Sequence, residues 1–276
     1  MKSLTKVALV GCALAASAGA YADVAVPSEG VGQAVLFVKN ETTGVVYARG
    51  ISLTANQVAT QASLQGDTYT GSGATPDTSL SFSLSSPIGP DSNLTAFLGA
   101  GGSYSWGLML GDSSGGLAVG DKRLISTSTS AITTPSNSAI NTSLSQFNTF
   151  VGTLNSVLPD GSDNSSVASG GLWDQAGAGP QAEGADVWFS PGLGVNNKVT
   201  LGDTAGFYLL TTSGGTTSAA GRQYLLGQLR LTANGTLESV GGTGPEVPLP
   251  PAVWLLGSAL AGFAGLRRRL DGTASA

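Results

Sequence analysis

The chain has 276 residues, a net charge of −5 and no histidine, and its one cysteine is Cys12. Without histidine it has no Ser-His-Asp triad, no Cys-His dyad and no histidine-ligated zinc site. Residues 23–246 carry seven Lys and Arg against sixteen Asp and Glu. This balance argues against binding to nucleic acid or to anionic lipid, because both partners attract clustered positive charge.

Residues 1–22 have the pattern of a secretory signal peptide. A basic start is followed by an apolar stretch, and Ala20 and Ala22 satisfy the small-residue rule for signal peptidase. We therefore expect cleavage before Asp23, with signal peptidase and the export machinery as partners. A second interpretation takes LVGC as a lipobox, in which case Cys12 would be lipidated and become the mature N-terminus. The chain is exported under either interpretation.

Residues 23–240 are predicted to form a mainly β ectodomain of the β-sandwich type. Two runs rich in β-branched and aromatic residues, 33–39 and 44–49, flank a polar NETTG loop and predict a hairpin. Strict alternation of serine with apolar residues in SLSFSLS predicts a half-buried strand over 79–85. Further strands are predicted at 103–110, 185–189, 206–212 and 223–231, the last followed by a tight turn at Asn234-Gly235.

One segment of the body has a helical period. Its apolar residues are spaced alternately by four and three positions, which predicts one amphipathic helix over about 137–158, packed on the sheet. These residues are Ile140, Leu144, Phe147, Val151, Leu154 and Leu158. The following stretch, 160–184, is rich in Gly, Ser and Ala and predicts a long loop or a linker.

Few residues of the body point to chemistry, and no cofactor is expected. Asp160 and Asp163 are calcium candidates, although their loop lacks the residue order and the closing glutamate of an EF-hand. A pair of carboxylates could hydrolyse glycosides, but no acidic cluster flanked by aromatic residues marks one. Trp106, Trp173 and Trp188 lie in or beside strand-like runs, where we expect core packing instead of sugar stacking.

The C-terminal part has the pattern of a membrane anchor. A Gly-rich spacer, 241–246, leads to a proline box that must be extended, because proline fixes its own φ and restricts the residue before it. The box consists of Val247, Pro248, Leu249, Pro250 and Pro251. The 15 uncharged residues 252–266 follow, and with the box they approach the length of a transmembrane helix. Arg267, Arg268 and Arg269 then form a stop-transfer signal on the cytoplasmic side.

Residues 247–270 resemble the PEP-CTERM sorting signal, and most of all its VPLPA-CTERM variant, before a short tail at 271–276. Leu249 replaces the acid of the common box, and Pro251 stands where the variant usually has Ala. The resemblance implies that an exosortase-type transpeptidase in the inner membrane of a Gram-negative bacterium removes the helix. The body would then be released or attached at the cell surface, often in bacteria that make exopolysaccharide. The body also resembles, more loosely, β-rich ectodomains found with this variant.

The sequence therefore predicts a non-enzymatic, exported surface or extracellular-matrix protein that is anchored only transiently in the inner membrane. Three alternatives stay open. The body could be a polysaccharide-binding module, which exposed aromatic residues on one sheet face would favour. It could be a secreted carboxylate-dependent hydrolase, or the chain could be a plain single-span membrane protein.

Overall fold

The computed structural model describes residues 24–27, 32–62, 81–130, 132, 135–158, 165–169, 173, 179–180, 188–189, 193 and 195–241. The predictions for residues 1–23, for Asp160 and Asp163, and for residues 242–276 lie outside these ranges. None of the helices in the described ranges is both long and apolar enough to cross a membrane.

The described chain is mainly β. Its strands are β1 Gln33–Asn40, β2 Val46–Thr54, β3 Tyr104–Asp112, β4 Arg123–Ser128, β5 Ser165–Ala168, β6 Val199–Thr200, β7 Thr204–Thr211, β8 Arg222–Leu231 and β9 Leu237–Ser239. Its helices are α1 Ala55–Gln61, α2 Ser92–Gly99 and α3 Asn137–Asn155. All strands belong to one antiparallel sheet in the order β5-β2-β1-β3-β4-β7-β8-β9, with β6 also paired to β3. The prediction of a mainly β fold is confirmed. The described strands form one continuous sheet and not the two packed sheets of a β-sandwich.

Both faces of this sheet are buried. One face carries Leu36, Trp106 and Phe207 and is covered by α1 and α2. The opposite face carries Phe37 and Leu210 and is covered by α3. Every residue of β3 is buried, as expected for a central strand with apolar cover on two sides.

The segment from residue 82 to α2 joins the two ends of the sheet. Ile88 forms an antiparallel bridge with Leu237 of β9, with two main-chain hydrogen bonds of 2.9 Å. Asn93, in the first turn of α2, donates its side-chain amide to the Ser165 hydroxyl of β5 over 2.9 Å. Because β5 and β9 are the first and last strands in the sheet order, the sheet must curl for one short segment to reach both.

Helix α3 confirms the predicted amphipathic helix. Ser136 caps it by accepting a hydrogen bond from the Ala139 N–H, and the predicted stripe from Ile140 to Leu154 is buried. The helix ends three residues earlier than predicted, at Asn155. It lies very close to the sheet, since a Cβ atom on Gly111 of β3 would stand 2.4 Å from a methyl carbon of Leu144.

The predicted hairpin and the strands at 103–110, 206–212 and 223–231 are also confirmed. β1 and β2 pair antiparallel across a loop at residues 41–45, and β3, β7 and β8 lie where expected. The turn at Asn234-Gly235 is present, with Gly235 at φ +83° and its N–H bonded to the Thr232 carbonyl.

Three other predictions are wrong within the described residues. Residues 81–85 form no strand: the Phe82 N–H bonds to the Leu226 carbonyl, but the Leu84 N–H bonds to the Ser239 hydroxyl, so no regular ladder continues. Trp188 and Phe189 lie in a bend and not in a strand. The predicted loop 160–184 contains β5, which pairs with β2.

Replacement of Phe150 by alanine should lower the free energy of unfolding by about 3–5 kcal/mol, since a fully buried aromatic ring would leave a cavity. The Phe150 ring contacts Phe37, Phe147, Trp173 and Phe189. Urea unfolding followed by fluorescence measures the change. Thr149→Ala, at the neighbouring exposed position of α3, is the control and should alter stability by less than about 0.5 kcal/mol. Equal effects of the two variants would contradict the position of α3.

Candidate functional site

A groove of about 580 Å³ lies where β2, α1 and the 82–88 segment meet, and we call it the β2 groove. One wall is the second half of β2, residues 49–53, and the other is the segment 82–86. The lining is completed by Gln57 and Gln61 of α1 and by Ile88 and Asp91. Its volume falls in the range of sites that bind small ligands or short chain segments.

Asp91 is the one carboxylate in this lining, and its oxygens are engaged by protein groups. Oδ1 accepts the Leu94 N–H over 2.7 Å and thereby caps α2. Oδ2 accepts the Tyr47 hydroxyl over 2.8 Å and lies 3.7 Å from Nε of Arg49. Arg49 in turn donates to the Gly89 carbonyl over 3.0 Å. This network fastens α2 and the segment before it to β2.

The surroundings of Tyr47 raise the pKa of its hydroxyl group. Burial of the ring raises the pKa of Tyr47, and the negative charge of Asp91 raises it further. The folded chain therefore keeps Tyr47 protonated at pH values at which an exposed tyrosine has lost its proton. A protonated Tyr47 is the form that can donate its hydrogen bond to Asp91.

The two glutamines of the groove are also engaged within the protein. Gln57 forms a capping box with Thr54, in which its Oε1 accepts the Thr54 N–H over 2.8 Å. Gln61 donates to the Ser83 carbonyl over 2.9 Å and so ties α1 to the opposite wall. The remaining lining is formed by small hydroxyl side chains and by apolar ones, among them Ser52 and Ile51.

Three acidic residues outside the groove form ion pairs with basic side chains. Asp112 pairs with Arg123, Glu238 with Arg230, and Glu41 with Lys198. Throughout the described ranges, no three His, Cys, Asp or Glu side chains lie together in a way that could hold a metal ion. The hydrolase alternative needs two carboxylates facing each other across a cleft, and the lining of the β2 groove supplies one.

The three tryptophans of the body are fully buried, which confirms their predicted role in the core. Trp106 packs on the face covered by α1 and α2, whereas Trp173 and Trp188 pack on the face covered by α3. A buried ring offers no stacking surface to a sugar. These three residues therefore give no support to the polysaccharide-binding alternative.

The sequence-predicted site residues and the β2 groove do not coincide. Ala20, Ala22 and Asp23, the two calcium candidates, the proline box and the arginine cluster all lie outside the described residues. The groove itself was not predicted, because its lining comes from separate stretches of chain without a shared motif. Thr54 and Gln57, spaced as in a capping box, are the signal that could have located the start of α1.

Above about pH 10, the ordinary pKa of tyrosine, the free energy of unfolding should fall with rising pH. The unfolded chain then releases the Tyr47 proton while the folded chain retains it, so stability that is complete below pH 10 is lost at up to about 1.4 kcal/mol per pH unit. Tyr47→Phe should reduce this slope in urea unfolding at a series of alkaline pH values. An unchanged slope in the variant would show that Tyr47 is not the group responsible.

No family model matches the chain, and neither the curated proteins nor the solved structures contain a match to it.

Proposed function

We propose that the chain is an exported, non-enzymatic surface or extracellular-matrix protein whose residues 247–270 are a sorting signal for an exosortase-type transpeptidase. In this proposal the signal peptide directs export, and the C-terminal helix holds the chain in the inner membrane until the proline box is processed. The body, residues 23–240, is the part that reaches the surface or the medium.

The observation that carries the proposal is the order of three segments at the C-terminal end of the sequence. A proline box at 247–251 is followed by 15 uncharged residues and then by Arg267, Arg268 and Arg269. Proline fixes its own φ and restricts the residue before it, so this composition favours an extended box, the form that a peptide-cleaving active site can take up. The uncharged run is roughly 22 Å long as a helix, and the arginines would remain on the cytoplasmic side.

The boundary of the body is compatible with removal of this signal. The last strand of the described chain, β9, ends at Ser239. The buried apolar residues of the described chain run from Val24 to Leu237. Processing at the box would therefore break none of the described strands and remove none of these core side chains.

The non-enzymatic part of the proposal is supported by the engagement of polar side chains in the β2 groove. Asp91 caps a helix, and Gln57 and Gln61 are bonded to main-chain groups. Reactive groups in active sites are typically placed so that they can exchange protons with a substrate. In the β2 groove these groups instead hold the fold together.

Protein recovered from the surface and medium of the native host should lack everything beyond the 247–251 box, because the transpeptidase would have removed the helix and the arginines. C-terminal peptide mapping by mass spectrometry measures this. Replacement of both Pro248 and Pro250 by alanine should leave the C-terminus attached, since the box would no longer be held extended.

Pro245→Ala, three residues before Pro248 in the spacer, provides the matched control and should be processed like the unmodified chain. A mature pool that retains its C-terminus through Arg269 would overturn the sorting proposal and would favour a plain single-span membrane protein. Equal processing of the Pro248/Pro250 variant and the control would show that the box is not the recognised element.

A further inference from the structure

The first described residues of the body, 24–27, are docked onto the rest of the fold. The Val24 side chain is 1% exposed and belongs to the core of the α3 face, and Val26 packs against the same core. In the sequence, Val24 is the second residue after the proposed signal-peptidase site, the bond between Ala22 and Asp23. Burial in the described chain therefore begins two residues after the bond that signal peptidase would cut.

Asn155, the last residue of α3, binds the main chain of Val24. The Val24 N–H donates to Oδ1 of Asn155 over 3.0 Å, and Nδ2 of Asn155 donates to the Val24 carbonyl over 2.9 Å. An amide side chain carries both a donor and an acceptor, so this one residue engages both polar groups of the Val24 main chain. Their loss would be costly, because buried polar groups need hydrogen-bond partners.

Further main-chain hydrogen bonds hold the rest of the segment. The Ala25 N–H donates to Oε1 of Gln33 over 2.9 Å, and the Gln33 N–H donates to the Ala25 carbonyl over 2.9 Å. The Pro27 carbonyl accepts the Ser113 N–H over 2.9 Å. Segment 24–27 is thereby attached to α3, to β1 and to the residue that follows β3.

The docked segment begins very close to the proposed cleavage site. One residue, Asp23, separates the scissile bond from Val24, and one residue spans at most about 3.6 Å. A protease can cut only a stretch of chain that enters its active-site cleft, so a bond beside a folded region is cut through locally opened states. Cleavage before Asp23 would therefore require Val24 to leave the core.

We propose that docking of segment 24–27 protects the signal-peptidase site, so that the signal peptide is removed only while this segment is undocked. Hydrolysis adds water across the Ala22–Asp23 bond and leaves a carboxyl group on Ala22 and an amino group on Asp23. The segment then docks against α3. A chain that docks the segment first keeps its signal peptide and stays attached to the membrane at its N-terminal end. This inference rests on the proposed cleavage before Asp23 and is independent of the C-terminal sorting signal.

A pair of variants tests the contact without changing the sequence around the cleavage site. The full chain, folded in mild detergent, is incubated with a purified bacterial signal peptidase. Asn155→Ala should be cut about tenfold faster than the unmodified chain, because the loss of two hydrogen bonds raises the population in which the segment is open. Asn141→Ala makes the same change at an exposed position of α3 and should be cut at the unmodified rate. Circular dichroism checks that both variants fold, and equal rates for the two would overturn the proposal.

A second measurement uses the unmodified chain and decides the question should Asn155→Ala not fold. Cleavage of the full chain is followed at a series of urea concentrations and divided by the cleavage rate of a synthetic peptide of residues 1–32, which reports on the peptidase itself. This ratio should rise at least about tenfold as the body unfolds. A constant ratio would overturn the protection alone.

Mass spectrometry of the products separates this failure from a failure of the predicted cleavage site. Products that begin at Asp23 are expected from both the peptide and the chain. Cleavage of neither at the Ala22–Asp23 bond would overturn the predicted site and, with it, the protection. None of these outcomes alters the expected C-terminal processing.

Discussion

Burial of both faces of a single sheet is the constraint on which the rest of the body depends. In a sheet with one solvent-exposed face, polar and apolar residues alternate along each strand. Here β3 is buried at every position. Each face then needs its own apolar cover. Helix α3 supplies it on one face, and α1, α2 and the 82–88 segment supply it on the other. With no cysteine within 23–246, this burial is what stabilises the body.

The elements that cover the α1/α2 face of the sheet also create the β2 groove. The segment from residue 82 into the first turn of α2 bridges β9 through Ile88 and reaches β5 through Asn93. It thus lies across the gap between the two ends of the curled sheet without pairing with β2. Asp91 and Gln61 fasten this segment to β2 and α1 through hydrogen bonds. The groove is the space that is left between a strand edge and its cover, so its shape follows from how the sheet is closed.

The sequence predicts those elements whose signal is local. The hairpin, α3 and the Asn234-Gly235 turn each follow from a period or a turn motif within a short window. α1 has only seven residues, too few for a helical period to show. β4 includes the buried polar residues Ser126, Thr127 and Ser128. Their polarity gives no strand signal in the sequence, because this strand is stabilised by pairing with β3 and β7. The alternation at 79–85 led to a wrong strand prediction for a similar reason. Phe82 is buried in the core as the alternation implies, but a regular strand also needs a neighbouring strand with which to pair. A local sequence pattern does not show whether such a strand is present.

The proposed sorting signal and the β2 groove differ in how they are encoded, and this difference explains why the first could be proposed from the sequence and the second could not. A sorting signal has to be recognised as a linear segment, and prolines at 248, 250 and 251 keep that segment out of any sheet interior. The groove combines residues 49–53 with residues 82–91, so it exists only once the sheet has closed. Substitutions in the lining of the groove would therefore leave the proposed signal unchanged. Because the buried apolar residues of the described chain end at Leu237, exchange of the proposed signal would remove none of them.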